Sequence, residues 1–239
     1  MTLGIAVKCE DGILLACDSR SVYGRGVPIQ RETNKIHYIE REGIAGGQVL
    51  ILGAGTVAFI DKFLRLFRDT DLTSICEEIR QKNLHLSHIV NKIAEPLIRA
   101  LFREYVEERK LSDLYSLSLI LGGFERDKVA EAFVLWDIGL AEPVDGFSTI
   151  GSGAAYAELF LRYLLPAERK IEDVIKPVCY TIRLVESIDP YVGGKINIAS
   201  IKHGGNIENL SEKVPEISVE KAKKLLDSAM NELRRGFNE

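Results

Sequence analysis

The sequence predicts an α+β fold in which antiparallel sheets are covered on the outside by helices. Predicted strands arrive in pairs joined by short turns, and predicted helices come in pairs between them. No internal repeat, low-complexity tract or Pro/Ser-rich linker divides the 239 residues. Hairpin-joined strands with grouped helices are typical of antiparallel sheets with separate helix layers. We therefore expect one domain over residues 1–239.

The chain begins with a predicted hairpin. Apolar runs lie on either side of Glu10-Asp11-Gly12. Asp-Gly between two such runs is a strong signal for a tight turn, because glycine accepts the positive φ that these turns need. A hairpin here returns Asp18 to the start of the chain, next to Thr2. The segment that follows, Ser19–Pro28, is rich in glycine and small polar residues, and we expect a loop there.

The middle of the chain first shows strand patterns and then helix patterns. Gly53-Ala54-Gly55-Thr56 should end a strand and open a helix with apolar residues every three or four positions. Pro96 should bend the second long helix. The elements expected here are strands at Lys35–Glu40 and Gln48–Leu52 around a turn at Arg41–Gly43, a helix from Val57 interrupted at Asp69-Thr70-Asp71, helical residues at Leu72–Gln81, and a helix at Ser87–Arg109.

The second half repeats this order of strands followed by helices. The elements expected here are strands at Tyr115–Leu121 and Ala130–Asp137 separated by Gly122–Asp127, a turn at Glu142–Gly146, a short strand at Phe147–Ile150, helices at Ala154–Leu165 and Ile171–Ile188, a break at Asp189–Gly194, a strand at Ile196–Lys202, and a charged amphipathic helix at Val219–Arg235.

Composition excludes several function classes. The net charge of −4 provides no general attraction to nucleic acid or to an anionic membrane. The start has no signal-peptide pattern, and no apolar run is long enough to span a bilayer. We expect a cytoplasmic protein that binds neither nucleic acid nor membrane.

The cysteines and histidines do not predict a metal site. Cys9, Cys17, Cys76 and Cys179 lack CxxC spacing, and three of them lie in apolar patterns, so buried reduced thiols are expected. His85 and His88 are one helical turn apart, but no Cys or second His pair accompanies them, which favours a surface helix. We expect no metal and no cofactor.

The residues alone raise one catalytic hypothesis. If Met1 is removed, Thr2 carries a hydroxyl and a free α-amine on one residue, and the hairpin brings the carboxylate of Asp18 beside them. An N-terminal threonine can use its own amine as the general base that activates its hydroxyl. The alternative is that Thr2 is an ordinary early polar residue of an edge hairpin.

Several motifs then occur in a familiar order. They are Thr2, Ala16-Cys17-Asp18-Ser19-Arg20, Lys35 ahead of an Ile strand, Gly53-Ala54-Gly55 before a helix, Gly151-Ser152-Gly153, and Asp189-Pro190-Tyr191-Val192-Gly193-Gly194. In this order and spacing the chain resembles the proteasome β-type subunits, which are N-terminal-nucleophile hydrolases. The resemblance implies a four-layer αββα sandwich of two antiparallel sheets. No helix precedes the first predicted strand, which favours the β type or its archaeal and bacterial relatives over the α type.

The resemblance implies a role for each matching residue. Thr2 would be the nucleophile and its amine the base, while the charge of Lys35 would favour the neutral amine and the developing alkoxide. Asp18 would pair with Lys35 and orient it. The N–H of Gly55 would stabilise the oxyanion. Ser152 and Asp189 would surround the Thr2 amine.

It also implies a mode of substrate binding. Peptide backbone would lie as an added strand between the Arg20-Ser21-Val22 segment and the segment from Gly53 to Thr56. Gly53 would line the pocket for the side chain before the scissile bond, and we expect room there for a large apolar side chain. Taken singly, each residue has a simpler structural role as well: Asp18 could cap a strand, Lys35 could be a solvated strand end, and the Ser152 turn could only cap a helix.

The match also has departures. Val192 stands where the family motif usually has a serine hydroxyl that helps to hold the amine and its water. Its presence should misplace the base or slow hydrolysis of the acyl-enzyme. The segment between Lys35 and Gly55 is longer than usual in the family. Exposure of Thr2 would depend on a methionine aminopeptidase removing Met1, because no propeptide is expected.

Three functions fit these observations. The first is a threonine-type endopeptidase that cleaves unfolded polypeptide or peptides inside a homo-oligomeric ring, with or without other proteasome-like subunits or an ATPase. The second is a peptide ligase or transpeptidase with the same nucleophile, suggested by Val192. The third is a catalytically silent subunit that shapes a ring.

Overall fold

A computed structural model describes residues 2–23, 29–40, 42–72, 74–75 and 84–236. Met1, Cys76 and most of the helix expected at Leu72–Gln81 lie outside the described residues.

Twelve strands, β1 to β12 in chain order, occur within the described residues. The first five-stranded sheet has the order β10-β1-β2-β11-β12, the second has the order β5-β6-β7-β8-β9, and β3 pairs with β4 alone. All paired strands are antiparallel. Their bounds are Leu3–Cys9, Gly12–Asp18, Arg20–Tyr23, Ile29–Glu32, Ile36–Glu40, Gln48–Gly55, Leu117–Phe124, Ala130–Leu135, Ala141–Pro143, Phe147–Gly151, Ile196–Lys202 and Asn206–Asn209.

The main helices are numbered α1 to α5. α1 is Val57–Asp69, α3 is Ala154–Leu164, α4 is Ile171–Glu186 and α5 is Val219–Gly236. α2 covers residues 86–108 as four consecutive segments. These are Leu86–Ile89, a π-helical turn at Val90–Ala94, Glu95–Phe102 and a second π-helical stretch at Arg103–Glu108.

Three apolar cores separate four layers, as the sequence predicts. The first core lies between α1/α2 and the second sheet, the second lies between the two sheets, and the third lies between the first sheet and α3/α4. The alternation along β1 explains the arrangement: Leu3, Ile5 and Val7 face the helices, while Ala6 faces the other sheet. The fold is therefore a four-layer αββα sandwich.

The N-terminal hairpin is confirmed. β1 and β2 pair from Cys9↔Gly12 to Gly4↔Cys17, so the register places Asp18 at the same end of the hairpin as Thr2. The strands at 36–40, 147–151 and 196–202 and the five long helices also lie where the sequence predicts them. The end of α1 at Asp69 matches the predicted interruption.

Several strand predictions were wrong or too short. The loop expected at Ser19–Pro28 contains β3, which pairs with β4, and the glycine-rich residues 24–28 lie outside the described part of the chain. The strand expected to end at Leu52 continues to Gly55. The turns expected at Gly122 and Glu142 are parts of β7 and β9, and β12 was not predicted.

These errors share a physical cause. Glycine in a strand pattern indicates a break, but Gly122 allows the two sheets to approach closely, since a Cβ there would lie 2.5 Å from Cδ1 of Ile201 in the opposite sheet. Pro96 follows a π-helical turn in which the N–H of Glu95 bonds to the carbonyl of Val90, so the helix accommodates the proline by a local change of hydrogen-bond period.

Within the described residues, no helix is long and apolar enough to cross a membrane. Cys9, Cys17 and Cys179 are buried free thiols, as predicted. Burial raises the pKa of each to about 12, which keeps them protonated and unreactive.

Candidate active site

A cavity of about 780 Å³ opens at the end of the sandwich where the hairpin brings its two ends together. Its lining combines residues from six parts of the chain: the residue before β1, β3, the residues before and within β5, the end of β6 with the residue after it, the first turns of α1, and the residue before β7. The lining residues are Thr2, Ser21, Val22, Thr33, Asn34, Lys35, His37, Gly53, Gly55, Thr56, Val57, Ala58, Ile60, Asp61 and Ser116. Seven of the residues predicted for the site therefore face one space.

Asp18 lies behind Thr2 at the end of β2 and is fully buried. Its Oδ1 accepts the N–H of Leu3 at 2.9 Å and the ammonium of Lys35 at 2.8 Å. Its Oδ2 accepts the N–H groups of Arg20 and Gly193 at 3.1 and 3.0 Å. All four partners are donors, so the arrangement suits the carboxylate, which only accepts hydrogen bonds.

Lys35 is also buried, with 7% of its side chain exposed. Besides Asp18, its Nζ donates to the carbonyl of Arg20 at 2.6 Å. Burial raises the pKa of the Asp18 carboxyl, and the neighbouring Lys35 ammonium opposes that rise. Since one oxygen of Asp18 binds both the Lys35 ammonium and the Leu3 N–H, the ammonium is held next to the peptide bond that joins Thr2 to Leu3.

Gly55 ends β6 immediately before α1. Its φ is +120°, and a Cβ there would lie 2.2 Å from the carbonyl oxygen of Ser116, so only glycine fits. β5 covers one edge of β6 only as far as the Ile36↔Leu52 pair, followed by a bond from the Gly53 N–H to the Lys35 carbonyl at 3.2 Å. In the described part of the chain no strand covers that edge beyond Gly53.

β3 lies on the other side of the cavity. Ser21 and Val22 line it, and the Ser21 hydroxyl bonds to that of Thr33 at 2.5 Å. Among the described strands β3 pairs only with β4. Two strand edges, that of β3 and that of β6 beyond Gly53, therefore border the same opening, which Thr2 also lines.

The side chain of Arg20 does not line the cavity. Its guanidinium donates to the carbonyls of Val192 and Pro190 at 2.8 and 3.1 Å and to the carboxylate of Glu186 at 3.2 Å. Arg183 holds the other oxygen of Glu186 at 2.7 Å. The guanidinium of Arg20 ties the 190–193 loop to the end of the hairpin, whereas the prediction concerned the backbone of the Arg20-Ser21-Val22 segment.

Ser152 and Asp189 do not line the cavity either. Ser152 is exposed in the turn before α3, and the N–H of its neighbour Gly153 makes only a long 3.5 Å contact with the Thr2 carbonyl. Asp189 is buried, but its Oδ1 accepts the N–H of Tyr191 at 2.9 Å and so closes a turn within its own loop.

Val192 is fully buried in the apolar core between the first sheet and the helices. It lies beside Gly153, where an added Cβ would come within 3.0 Å of Val192 Cγ2 and 3.4 Å of Leu3 Cβ. The position that carries a serine hydroxyl in the family motif is therefore part of the packing behind Thr2 in this chain.

Sequence reasoning missed several residues of the cavity. His37 follows Lys35 by two residues, the strand period, and so shares its face. Asp61 follows Val57 by four residues on α1, the helix period. Both signals were present in the sequence, whereas Thr33, Asn34 and Ser116 reach the cavity by tertiary folding. Burial lowers the pKa of His37, with Arg68 adding to the shift and Asp61 opposing it.

Within the described residues, no group of three or more His, Cys, Asp or Glu side chains is placed to hold a metal ion. His85 and His88 are half-buried with ring centroids 5.5 Å apart, so the prediction of a surface helix is only partly right.

The chain is similar to known proteins over most of its length. The family model described as Proteasome subunit matches residues 2–201. "Proteasome subunit beta 1" of Thermococcus onnurineus (strain NA1) is 22% identical over 215 residues, which cover 89% of this chain and 94% of that protein.

Two solved structures are similar over nearly the whole chain. One is an Anbu (Gly-1) mutant from Hyphomicrobium sp. strain MC1, with a TM-score of 0.70, 16% identity, and coverage of 100% of this chain and 97% of that one. The other is Anbu (ancestral beta-subunit) from Yersinia bercovieri, with a TM-score of 0.70, 15% identity, and coverage of 98% and 97%. These likenesses and the four-layer architecture lead to one conclusion: the chain belongs to the Proteasome subunit family and has the β-type, N-terminal-nucleophile hydrolase fold.

Proposed function

We propose that this chain is a threonine-type peptidase in which Thr2, once Met1 is removed, is both nucleophile and general base. The observation that carries the proposal is the sharing of Asp18 Oδ1 between the Leu3 N–H and the Lys35 ammonium. It supports a cation held beside Thr2, where a positive charge favours the neutral amine and the developing alkoxide.

In the proposed reaction the Thr2 amine accepts the hydroxyl proton while Oγ1 attacks the scissile carbonyl. The carbonyl carbon becomes tetrahedral, and its oxygen takes the negative charge. The N–H of Gly55 is the proposed oxyanion donor, aided by the N-terminal end of α1, which starts two residues later. The amine then gives the proton to the leaving nitrogen, and water later releases the acyl group from Thr2.

The peptide substrate is proposed to lie between β3 and the uncovered edge of β6. Ser21 and Val22 on one side and Gly53 and Thr56 on the other offer backbone groups to an added strand. Arg20 supports this arrangement indirectly, through its carbonyl on Lys35 and its guanidinium on the 190–193 loop. Ser152 and Asp189 are proposed as outer residues around the amine, without direct contact in the unliganded chain.

A second activity rests on a specific observation. Because Val192 is apolar and buried behind Thr2, the hydroxyl that would help to hold the hydrolytic water is missing. The acyl-enzyme would then persist long enough for an added amine to take the acyl group, which makes the chain a peptide ligase or transpeptidase. A catalytically silent ring subunit is the third possibility.

The assembly and surroundings are further proposals. Family membership supports a ring-forming oligomer, and we propose that copies of this chain, as one domain each, enclose the active sites. Additional proteasome-like subunits, an ATPase and a cytoplasmic location stay predictions.

A peptide epoxyketone tests the chemistry, because it forms a ring with both the hydroxyl and the amine of an N-terminal threonine. The protein is produced with Thr2 as its first residue, confirmed by intact mass. We expect one adduct, mapped to Thr2, lost in Thr2→Ala and kept in the control Thr70→Ala at the far end of α1. An unmodified Met1-free protein would reject both acyl-transfer functions and leave the silent subunit. Product analysis with an added amine separates hydrolysis from ligation.

A further inference from the structure

Glu186, the last residue of α4, bridges two arginines. Its Oε1 accepts a hydrogen bond from Nη2 of Arg20 at 3.2 Å, and its Oε2 accepts one from Nη1 of Arg183 at 2.7 Å. The side chains of Glu186, Arg183 and Arg20 are only 15, 21 and 23% exposed, so their charges are screened less than those of a surface pair. Because one carboxylate separates two guanidinium groups, its loss would leave two like charges facing each other.

The Arg20 end of this network reaches the buried pair of Asp18 and Lys35. The backbone N–H of Arg20 donates to Asp18 Oδ2 at 3.1 Å and to the carbonyl of Gly193 at 2.9 Å. The backbone carbonyl of Arg20 accepts the Lys35 ammonium at 2.6 Å. One residue therefore holds Glu186 with its side chain and Lys35 with its backbone, so a displaced guanidinium would pull on the carbonyl that fixes the ammonium.

Gly193 brings the same ion pair against Asp18. A Cβ at Gly193 would collide with Nη2 of Arg20 and with Oε1 of Glu186, and the φ of this residue is +150°, so only glycine fits there. The N–H of Gly193 donates to Asp18 Oδ2 at 3.0 Å. The Arg20–Glu186 pair thus packs directly against a backbone group that binds the active-site carboxylate.

Arg183 connects the other side of the network to the C-terminal part of the fold. Its Nε donates to the carbonyl of Ile217 at 3.1 Å, and its Nη1 donates to the carbonyl of Gly194 at 2.9 Å. Ile217 is buried in the segment that precedes α5. A continuous set of polar contacts therefore runs from this segment through the end of α4 to Lys35.

We propose that Glu186 is a positioning residue of the candidate active site: by holding the Arg20 guanidinium it keeps the Lys35 ammonium beside Thr2, while Arg183 fixes its other carboxylate oxygen. Neither Glu186 nor Arg183 is among the described residues that line the cavity, so both act through Arg20. The inference rests on the proposed function for the use of Thr2, but the place of the ammonium is a property of the fold.

Removal of the Glu186 charge has two opposite effects on the Thr2 amine. Loss of a negative charge by itself disfavours the protonated amine and lowers its pKa. If the Lys35 ammonium moves away from Thr2, a neighbouring positive charge is lost and the pKa of the amine rises. The direction of the change therefore distinguishes positioning through Arg20 from a direct effect of the missing carboxylate.

The test measures the Thr2 amine in Glu186→Gln, with Thr2 as the first residue of the protein. Trace acetylation with acetic anhydride is followed against pH, and the N-terminal peptide is quantified by mass spectrometry. We expect the midpoint to rise by about 0.5–1 pH unit, which lowers the neutral fraction about three- to tenfold at a pH below it. The control Glu158→Gln removes the same charge from an exposed pair with Arg162 on α3 and should leave the midpoint unchanged.

Two further variants test the route through Arg20. Arg20→Met should raise the midpoint as Glu186→Gln does, and the double variant should show no additional rise, because both substitutions break one contact. Glu186→Asp keeps the charge on a shorter side chain, so it should raise the midpoint less, and it provides the measurement if Glu186→Gln does not fold.

The outcomes separate this inference from the proposed function. If the epoxyketone never labels Thr2 but the midpoint rises as stated, the proposed function fails and the positioning role stands. If the midpoint is unchanged or falls in Glu186→Gln and Glu186→Asp, or if the rises in the two single variants add in the double variant, the positioning role is wrong. Labelling of Thr2 in the parent protein would then leave the proposed function intact.

Discussion

Asp18 and Asp189 are both buried aspartates in motifs that the chain shares with proteasome β-type subunits, and their surroundings differ sharply. Asp18 accepts bonds from four donors that belong to four separate parts of the chain. Asp189 accepts the N–H of Tyr191, two residues away. The Asp18 carboxylate therefore connects separate parts of the fold, whereas the Asp189 carboxylate closes a turn within its own loop.

The candidate site has two halves, one formed by Asp18 and Lys35 and the other by Ser152 and Asp189. The difference shows that only the half with Asp18 and Lys35 is assembled without substrate. A fully buried carboxylate is costly unless it is paired and hydrogen-bonded, so Asp18 and Lys35 are kept in place by the free energy of the fold itself. Asp189 is satisfied locally and Ser152 is exposed, so nothing comparable directs either of them toward Thr2. In this chain Asp18 and Lys35 are therefore held together without substrate, while Val192 packs in the apolar core near Gly153.

The largest effect is expected when the assembled half is broken. Lys35→Met removes the charged partner that Asp18 has among the described residues, and we expect Thr2 labelling by the epoxyketone to slow by about 10²–10³-fold, the range found when one electrostatic contact to a transition state is lost. The free energy of unfolding should fall by about 3–5 kcal/mol, because a buried carboxylate is left unpaired. Denaturant unfolding and the labelling rate measure the two effects.

If the Lys35→Met protein folds and its Thr2 is labelled at the unchanged rate, the role proposed for the Lys35 ammonium is wrong. The control is Lys62→Met, which removes a lysine from α1 whose partners Glu104 and Tyr105 lie outside the cavity lining. Because this pair is exposed and screened by solvent, its loss should leave the free energy of unfolding nearly unchanged.

An intermediate effect is expected at Val192. Val192→Ser places a hydroxyl in an apolar core, and we expect a loss of about 1–3 kcal/mol of stability unless the hydroxyl finds a partner. If the missing serine hydroxyl is what slows deacylation, the variant should release hydrolysed product faster and transfer less acyl group to an added amine. An unchanged product ratio would mean that Val192 does not decide between hydrolysis and ligation. Val192→Thr, which keeps the branched shape, separates the hydroxyl from the lost volume.

The smallest effect is expected in the half that is not assembled. Ser152→Ala and Asp189→Asn should each change the Thr2 labelling rate by less than about tenfold, since neither side chain lines the cavity and an asparagine oxygen can still accept the Tyr191 N–H. Asp18→Asn in the same assay should act like Lys35→Met. A loss of 10² or more in Ser152→Ala would instead show that substrate binding draws this residue into the site.

Sequence patterns were sufficient for the elements whose signals are local. The Asp11-Gly12 turn predicts the hairpin, and the hairpin register alone brings Asp18 back to Thr2. Apolar residues every three or four positions predict α1, and Ile60, Phe63, Leu64 and Phe67, which have this spacing, are buried. Period-two alternation would also have placed His37 beside Lys35.

Sequence patterns did not predict the role of residues whose contacts are made with distant parts of the chain. Gly53 and Gly122 look like strand breaks, yet both lie inside strands where another layer approaches too closely for a side chain. The resemblance places the Arg20 segment beside the substrate backbone, but only the structure shows that Glu186 and the carbonyls of a distant loop bind its guanidinium. These contacting residues are far away in the sequence, so the pattern of a short segment cannot predict them.

The sequence by itself determined the layered fold, the family resemblance and the grouping of Thr2 with Asp18, because periodicity and turn chemistry act over a few residues. Only the tertiary structure decided that Ser152 and Asp189 stay outside the cavity, that Val192 belongs to a core, and that His37 and Asp61 line the same cavity. The physical reason is that burial and charge pairing depend on contacts between different helices and strands. These contacts form only after the two sheets and their helices have packed.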